Sequence, residues 1–345
     1  MVKLNLKMLN GKKLKYNMKT YILTLKQKSG LLSPLQSDTI YGHFCWRLKE
    51  RFGVDKLNEF ISLYKNGNPV FLLSDGLLKV KNEIRFPRPL VFQKPETKEN
   101  KVDKILEFVQ RKKSKEKNYL TLSEINKFLS TGKIEFEEIE QENDSKNRKR
   151  KKKRFIEESL RVSVQIDRNS FASSEGKLFS YNPKFSRDDV YFVVLLKVLN
   201  EVKYKEFDCD NILKDTFTIG FGKKKSSGYG QFEVLRCEEF NKILEPNESN
   251  AFFVLGNYLP EKEVDASPIG YDINTKYGKF GEELALSENP FKNPIVFLTA
   301  GSCFKTNNKK NFYGRVTIEN EISEVNNFAV QFGMPFTLNF ISRIS

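Results

Sequence analysis

Val190-Tyr191-Phe192-Val193-Val194-Leu195-Leu196 is the most strongly β-forming stretch of this 345-residue chain. A nearly unbroken run of apolar, β-branched and aromatic residues leaves no polar face. That is the pattern of a central strand, covered on both sides. Downstream, Asp208 to Phe217 reads as a helix, a glycine-rich loop follows at Gly220–Gly230, and Gln231-Phe232-Glu233-Val234-Leu235 supplies another strand.

Upstream the same elements recur. Tyr21-Ile22-Leu23-Thr24-Leu25 alternates as a strand does. After Ser33-Pro34, Ser37 or Asp38 can cap a helix whose apolar residues Tyr41, Phe44, Cys45, Leu48 and Phe52 recur every three or four positions until Gly53. Val70-Phe71-Leu72-Leu73 leads into Ser74-Asp75-Gly76, a proline-marked loop follows at Phe86-Pro87-Arg88-Pro89, and Arg161–Ile166 regains strand character. The order β-α-β…β-α-loop-β predicts an α+β chain with a ferredoxin-like first domain, an antiparallel sheet with two helices on one face.

That first domain spans 1–236. From about 93 to 158 the composition shifts to Lys, Glu, Asn and Ser, with one short helix at Ser123–Leu129, which reads as a basic insertion decorating the domain. Residues 237–345 read as a second, irregular ferredoxin-like domain, a degenerate copy of the first. Its expected strands are Phe252–Tyr258, Ile295–Thr299, Gly314–Ile318 and Thr337–Ile341. The aromatic-rich stretches 251–259 and 328–341 are candidate partner surfaces.

The charge points to a polyanionic partner. Lys and Arg exceed Asp and Glu by 59 to 44, a net +15. Residues 1–37 hold eight lysines and no acid, and Lys146–Arg154 packs eight more positive charges into nine positions. Such a run reads first as a solvated tip, partly neutralised by the acidic stretch Glu135–Asp144. It supports nucleic-acid binding without locating the site. No apolar run approaches the roughly 20 residues that span a bilayer, and the first residues lack the pattern of a signal peptide. A cytoplasmic protein with no membrane contact is expected. Cys45, Cys209, Cys237 and Cys303 are far apart and form no C-x-x-C pair, so neither a metal site nor a disulfide framework is expected.

The loop Gly220-Phe221-Gly222-Lys223-Lys224-Lys225-Ser226-Ser227-Gly228-Tyr229-Gly230 carries the sharpest chemistry. Glycines allow positive φ and close approach to a ligand. Successive backbone N–H groups in such loops form anion-binding concavities. Lys223, Lys224 and Lys225 supply charge, and Ser226 and Ser227 supply hydroxyl donors to phosphate or ribose. Phe221 suits stacking on a base or anchoring the loop equally well; Tyr229 reads as an anchor. No Gly-Lys-Ser/Thr step of a Walker A motif is present. His43, the only histidine, reads as a packed or half-exposed helix residue, and Asp38 and Asp75 as capping groups. Asp167-Arg168 is either an ion pair shaping a hairpin or an arginine facing phosphate.

These residues resemble the RAMP proteins of CRISPR–Cas systems, whose ferredoxin-like domains carry a glycine-rich loop before the last strand. Within them the chain is most similar to the fourth subunit of the type III-A Csm effector complex. The resemblance rests on Leu35–Trp46, on Ser74-Asp75-Gly76 with Pro87-Arg88-Pro89, on Val164–Arg168 with Gly176–Phe179, and on Ala300–Phe304 with Tyr313-Gly314. The segment 93–158 has no counterpart. The resemblance implies an RNA-binding subunit that grips the 5′ handle of the CRISPR RNA and docks the large signature subunit and the backbone RAMP subunit. It implies no catalysis and no cofactor. It also adds Ser37, Asp38, Thr39, Arg88 and Arg168 to the RNA-binding set. Two other readings stay open: a RAMP endoribonuclease using His43 or Asp38, and a basic protein that meets RNA incidentally.

Overall fold

The computed structural model describes residues 18–91, 117–135, 154–261, 266–318, 320–324 and 329–343. The basic run thus lies outside the described residues except for Arg154. Along the chain, β1 (Lys19–Gln27) leads into α1 (Ser37–Lys65), β2 (Phe71–Leu73), β3 (Leu77–Val80) and β4 (Glu83–Pro87). Then come β5 (Tyr119–Leu120), α2 (Leu122–Thr131), β6 (Ile156–Glu158), β7 (Arg161–Ile166), β8 (Ser173–Tyr181) and β9 (Lys184–Ser186). β10 (Val190–Val198), α3 (Glu201–Glu206), α4 (Cys209–Thr218) and β11 (Phe232–Glu239) follow. Next are β12 (Ala251–Val254), β13 (Ala266–Gly270), β14 (Ile273–Lys276), β15 (Ile295–Leu298) and β16 (Cys303–Thr306). β17 (Arg315–Val316), β18 (Phe332–Gly333) and β19 (Thr337–Phe340) end the chain.

The first sheet has the order β11-β1-β10-β3-β4-β5, with β2 also on β10 and the ladders antiparallel. β2 and β3 act as one interrupted strand: Leu73 pairs with Leu196 and Leu77 with Val193. Counting them as one, the order is fourth, first, third, second, as expected of the split β-α-β arrangement. The apolar run of β10 is explained by its two covers. Phe192, Val194 and Leu196 pack under the helices with Phe44, Phe60 and Phe217, whereas Val193 and Leu195 share a cluster with Phe253 of the second sheet and with Leu255 and Phe336 beside its strands.

The second sheet, β13-β16-β12-β19, repeats that order, with no α-helix between its strands among the described residues. Two of its four members, β13 and β16, were not expected, and β15 pairs with β14 outside it. Pro268 argues against a strand in sequence, yet β13 is an edge strand, where a missing N–H is tolerated. The stretches 251–259 and 328–341 are corrected as partner surfaces. Phe252, Phe253, Leu255, Tyr258, Phe336 and Leu338 are buried core.

The segment around 93–158 is not all decoration. α2 has a full capping box, Thr121 with Glu124, and a left-handed Gly132 C-cap. Its Ile125, Phe128 and Leu129 are fully buried. The Phe128 ring lies 4.7 Å from Phe340 and 6.1 Å from Phe253, so α2 shields the helix-poor second sheet.

α1 also departs from expectation. Gly53 (φ 85°) breaks it, but helix resumes to Lys65 and buries Phe60 and Tyr64, while Phe52 is exposed. Its N-cap, Gln36, makes no side-chain capping bond. Asp75 receives the Ser37 N–H instead, at 2.8 Å. Among the described residues no helix is long and apolar enough to cross a membrane.

Candidate nucleic-acid interface

The loop before β11 is built on left-handed backbone. Gly220, Gly222, Gly228 and Gly230 all have positive φ, as does Lys224 at 57°. Gly230 shows why glycine is needed: a Cβ there would lie 1.9 Å from the Phe221 carbonyl oxygen. The loop closes on itself where Phe221 N–H donates to Gly230 O at 2.8 Å, and Lys225–Ser227 form a short 3-10 turn.

Hydrogen bonds within the protein take up much of the backbone from which an anion-binding concavity was expected. Gly222 N–H donates to His43 Nε2 at 2.9 Å, and Lys223 N–H to Ser33 Oγ at 2.9 Å. Ser227 and Tyr229 N–H donate to Lys224 O, Gly228 N–H to Lys225 O, and Gly230 N–H to Gly30 O. With Phe221 these are seven amides committed inside the protein. Their glycine geometry shapes the loop against the β1 turn and α1. Lys223, Ser226 and Ser227 are exposed, and Lys225 is half-buried.

The aromatic residues settle as anchors. Phe221 is fully buried, 5.0 Å from the His43 ring. Tyr229 meets Tyr181 edge-on at 5.8 Å, with the two hydroxyls 3.3 Å apart. Lys224 Nζ lies 3.6 Å from the Tyr181 ring centroid and 4.8 Å from that of Phe179. The loop therefore leans on the β7–β8 hairpin, which among the described residues pairs with itself rather than joining the first sheet. One face of that hairpin, carrying Tyr181 and Phe179, meets the loop; Val162, Val164 and Leu178 lie exposed on the other.

The added RNA-binding candidates do not gather at the loop. Ser37 and Asp38 are buried, which corrects their placement as RNA contacts. Asp38 accepts from Lys276 Nζ (2.7 Å to each oxygen), Asn257 Nδ2 (2.8 Å) and Gln331 Nε2 (2.6 Å). Thr39 Oγ1 accepts from the same ammonium at 3.2 Å. Burial pushes the Asp75 carboxyl up to about 7, with Asp38 adding to the rise and the Ser37 amide opposing it. Lys292, half-buried beside this network and donating to Gln331 Oε1 at 2.9 Å, is pushed down by desolvation. These polar residues bind the start of α1 to the second half of the chain.

Arg88 lies half-buried just after β4, across the first sheet from β11, and donates to Lys117 O at 3.4 Å. Arg168 is exposed at the tip of the β7–β8 hairpin. Asp167 shapes that tip by accepting from the Asn169 and Ser170 amides at 2.8 and 3.0 Å. The sequence reading missed Ser33 and Tyr181. Proximity to the loop arises only through folding, and neither belongs to a recognisable motif. Among the described residues there is no cluster of three or more candidate metal ligands.

No protein-family model and no curated protein matches the sequence. Solved structures do. The fold is similar to a chain of the Csm3–Csm4 subcomplex of the type III-A CRISPR–Cas interference complex, with a TM-score of 0.59 and 18% identity over 94% of this chain and 100% of that one. It is also similar to a chain of the Csm1–Csm4 cassette in complex with cA4, with a TM-score of 0.58 and 15% identity over 95% and 100%. A third structure, of the same cassette with pppApA, gives 0.57 and 16% over 94% and 100%. Csm4 is the subunit common to these assemblies, and over nearly its whole length the chain carries a Csm4-like fold.

Proposed function

We propose that the chain is a non-catalytic RNA-binding subunit of a type III-A CRISPR interference complex. In this reading it holds the 5′ handle of the CRISPR RNA and docks the large signature subunit and the backbone subunit. Its two RAMP-type domains are 1–236 and 237–345. The repeated strand order of the two sheets supports that division.

The observation that carries the reading is the loop at Gly220–Gly230. Its backbone is closed on itself and stitched to Gly30, Ser33 and His43, while Lys223, Ser226 and Ser227 face outward. A preformed cationic and hydroxyl-bearing ridge suits a sugar–phosphate backbone, because little ordering entropy is lost on binding. Both faces of β10 are covered, so an RNA strand has no open central face to lie on and is directed to the loops.

The endoribonuclease alternative is weakened by the same geometry. His43 Nε2 accepts the Gly222 amide, and the Asp38 carboxylate is buried among three donors. Neither is poised over a cleft with a proton to exchange.

The test is equilibrium binding of labelled handle RNA over a salt series. Replacing Lys223, Lys224 and Lys225 together by Ala should weaken binding and flatten the slope of log K against log salt by up to roughly two units. Affinity and slope equal to the parent's would reject the loop as the site. Metal-independent cleavage of the RNA that disappears in His43→Ala would favour the enzyme.

A further inference from the structure

We infer that His43 is the positioning residue of the glycine- and lysine-rich loop: its unprotonated Nε2 holds the Gly222 amide and thereby sets where Lys223 and Lys225 stand. The inference rests on the reading of that loop as the RNA site.

Four main-chain N–H groups of the loop and of Gln231 just after it donate to the N-terminal part of the chain. At its start, Gly222 N–H meets His43 Nε2 and Lys223 N–H meets Ser33 Oγ, both at 2.9 Å. At its end, Gly230 N–H meets Gly30 O and Gln231 N–H meets Ser29 Oγ, also at 2.9 Å. Three of the four acceptors are hydroxyl or carbonyl oxygens, which accept at any ordinary pH. Imidazole differs. To accept through Nε2 it must carry its hydrogen on Nδ1, and the imidazolium is a donor at both nitrogens. Protonation therefore turns this one acceptor into a group that repels the Gly222 N–H.

The surroundings leave the loop no easy alternative. Gly222 sits at φ 76°, with Ser33 so close that a Cβ would come within 2.5 Å of it. Phe221, the residue before, is buried against the His43 ring. Loss of the His43 bond should therefore release the segment that carries Lys223 rather than let it re-form nearby. Charged groups on the elements around this turn of α1 include Lys223, Lys224 and Lys225 on the loop and Arg47 one turn further on, the last 2.6 Å from Glu50. Arg51, a further turn along, is paired with Asp208, which precedes α4, and with Asp215 in it.

The test compares the full-length parent with His43→Ala and His43→Gln, the amide oxygen of glutamine being an acceptor that does not titrate. Two readouts are taken between about pH 8 and about pH 5, the range in which imidazole changes charge. One is hydrogen exchange at the Gly222 amide, corrected for its intrinsic rate; the other is binding of a labelled single-stranded RNA at fixed ionic strength. At the upper pH, His43→Ala should lower Gly222 protection about five- to tenfold, the worth of one hydrogen bond, and weaken RNA binding. Acidification should do the same to the parent but not to His43→Gln, while Gly230 stays protected in all three. Gly222 protection unchanged in His43→Ala, or an equal pH response in parent and His43→Gln, would overturn the inference. So would lost protection with parental RNA affinity in His43→Ala, provided the triple lysine variant has lost affinity. If the triple variant binds like the parent, the RNA reading itself has failed, and the exchange data still judge the clamp.

Discussion

Asp38, near the start of α1, and Lys276, at the end of β14, meet at 2.7 Å through both carboxylate oxygens, although 238 residues separate them in the chain. The carboxylate side chain has no exposure and that of the lysine only 22%. Asn257 and Gln331 complete the shell. A buried charge so fully paired is tolerated only while each partner stays in place.

Asp38→Ala should accordingly destabilise the protein by about 3–5 kcal/mol, since it strands three donors in the interior. Urea denaturation monitored through Trp46 would measure it. A loss below about 1 kcal/mol would mean that water replaces the carboxylate and that the two halves of the chain are not joined there.

Asp75 gives a pH signature. Its folded-state pKa, raised by burial to about 7, exceeds the roughly 4 of an unfolded aspartate. Between those values the folded chain keeps a proton that the unfolded chain has released, so this group's contribution to stability falls as pH rises from about 4 to about 7 and is level above. Asn keeps the oxygen that accepts the Ser37 amide but cannot ionise. Asp75→Asn should gain on the parent as pH rises from about 4 to about 7, by roughly 2–4 °C in melting midpoint for each kcal/mol relieved. A constant gap between the two proteins would show that Asp75 does not titrate in this way.

Lys224 and Lys223 should separate by role. The Lys224 ammonium rests on the Tyr181 ring at 3.6 Å, an interaction worth roughly 0.5–2 kcal/mol, while Lys223 is exposed. Lys224→Ala should speed hydrogen exchange in β8 near Tyr181, and Lys223→Ala should not. Equal exchange in both would remove the loop–hairpin contact from the account.

For α2, Phe128→Ala should cost about 3–5 kcal/mol, because the ring is fully buried between Phe253 and Phe340. Phe171→Ala, at the 86% exposed hairpin tip, should fall within about 0.5 kcal/mol of the parent. Similar small effects at both positions would return α2 to the surface.

Local pattern alone was enough to place β1, β10, β11, α4 and the loop between the last two. Strand alternation, an unbroken apolar run and a cluster of glycines are short-range signals, set by backbone sterics and by which faces are covered. The same signals identified Lys223, Ser226 and Ser227, which the loop turns outward. Tertiary structure decided which polar groups are spent inside the molecule. The loop amides answer to His43, Ser33 and Gly30, Asp38 answers to Lys276, and α2 covers a sheet formed more than a hundred residues later. No window of sequence contains both members of such pairs. A hydrogen bond or a buried face is determined by the partner that folding delivers, and that partner lies far away along the chain.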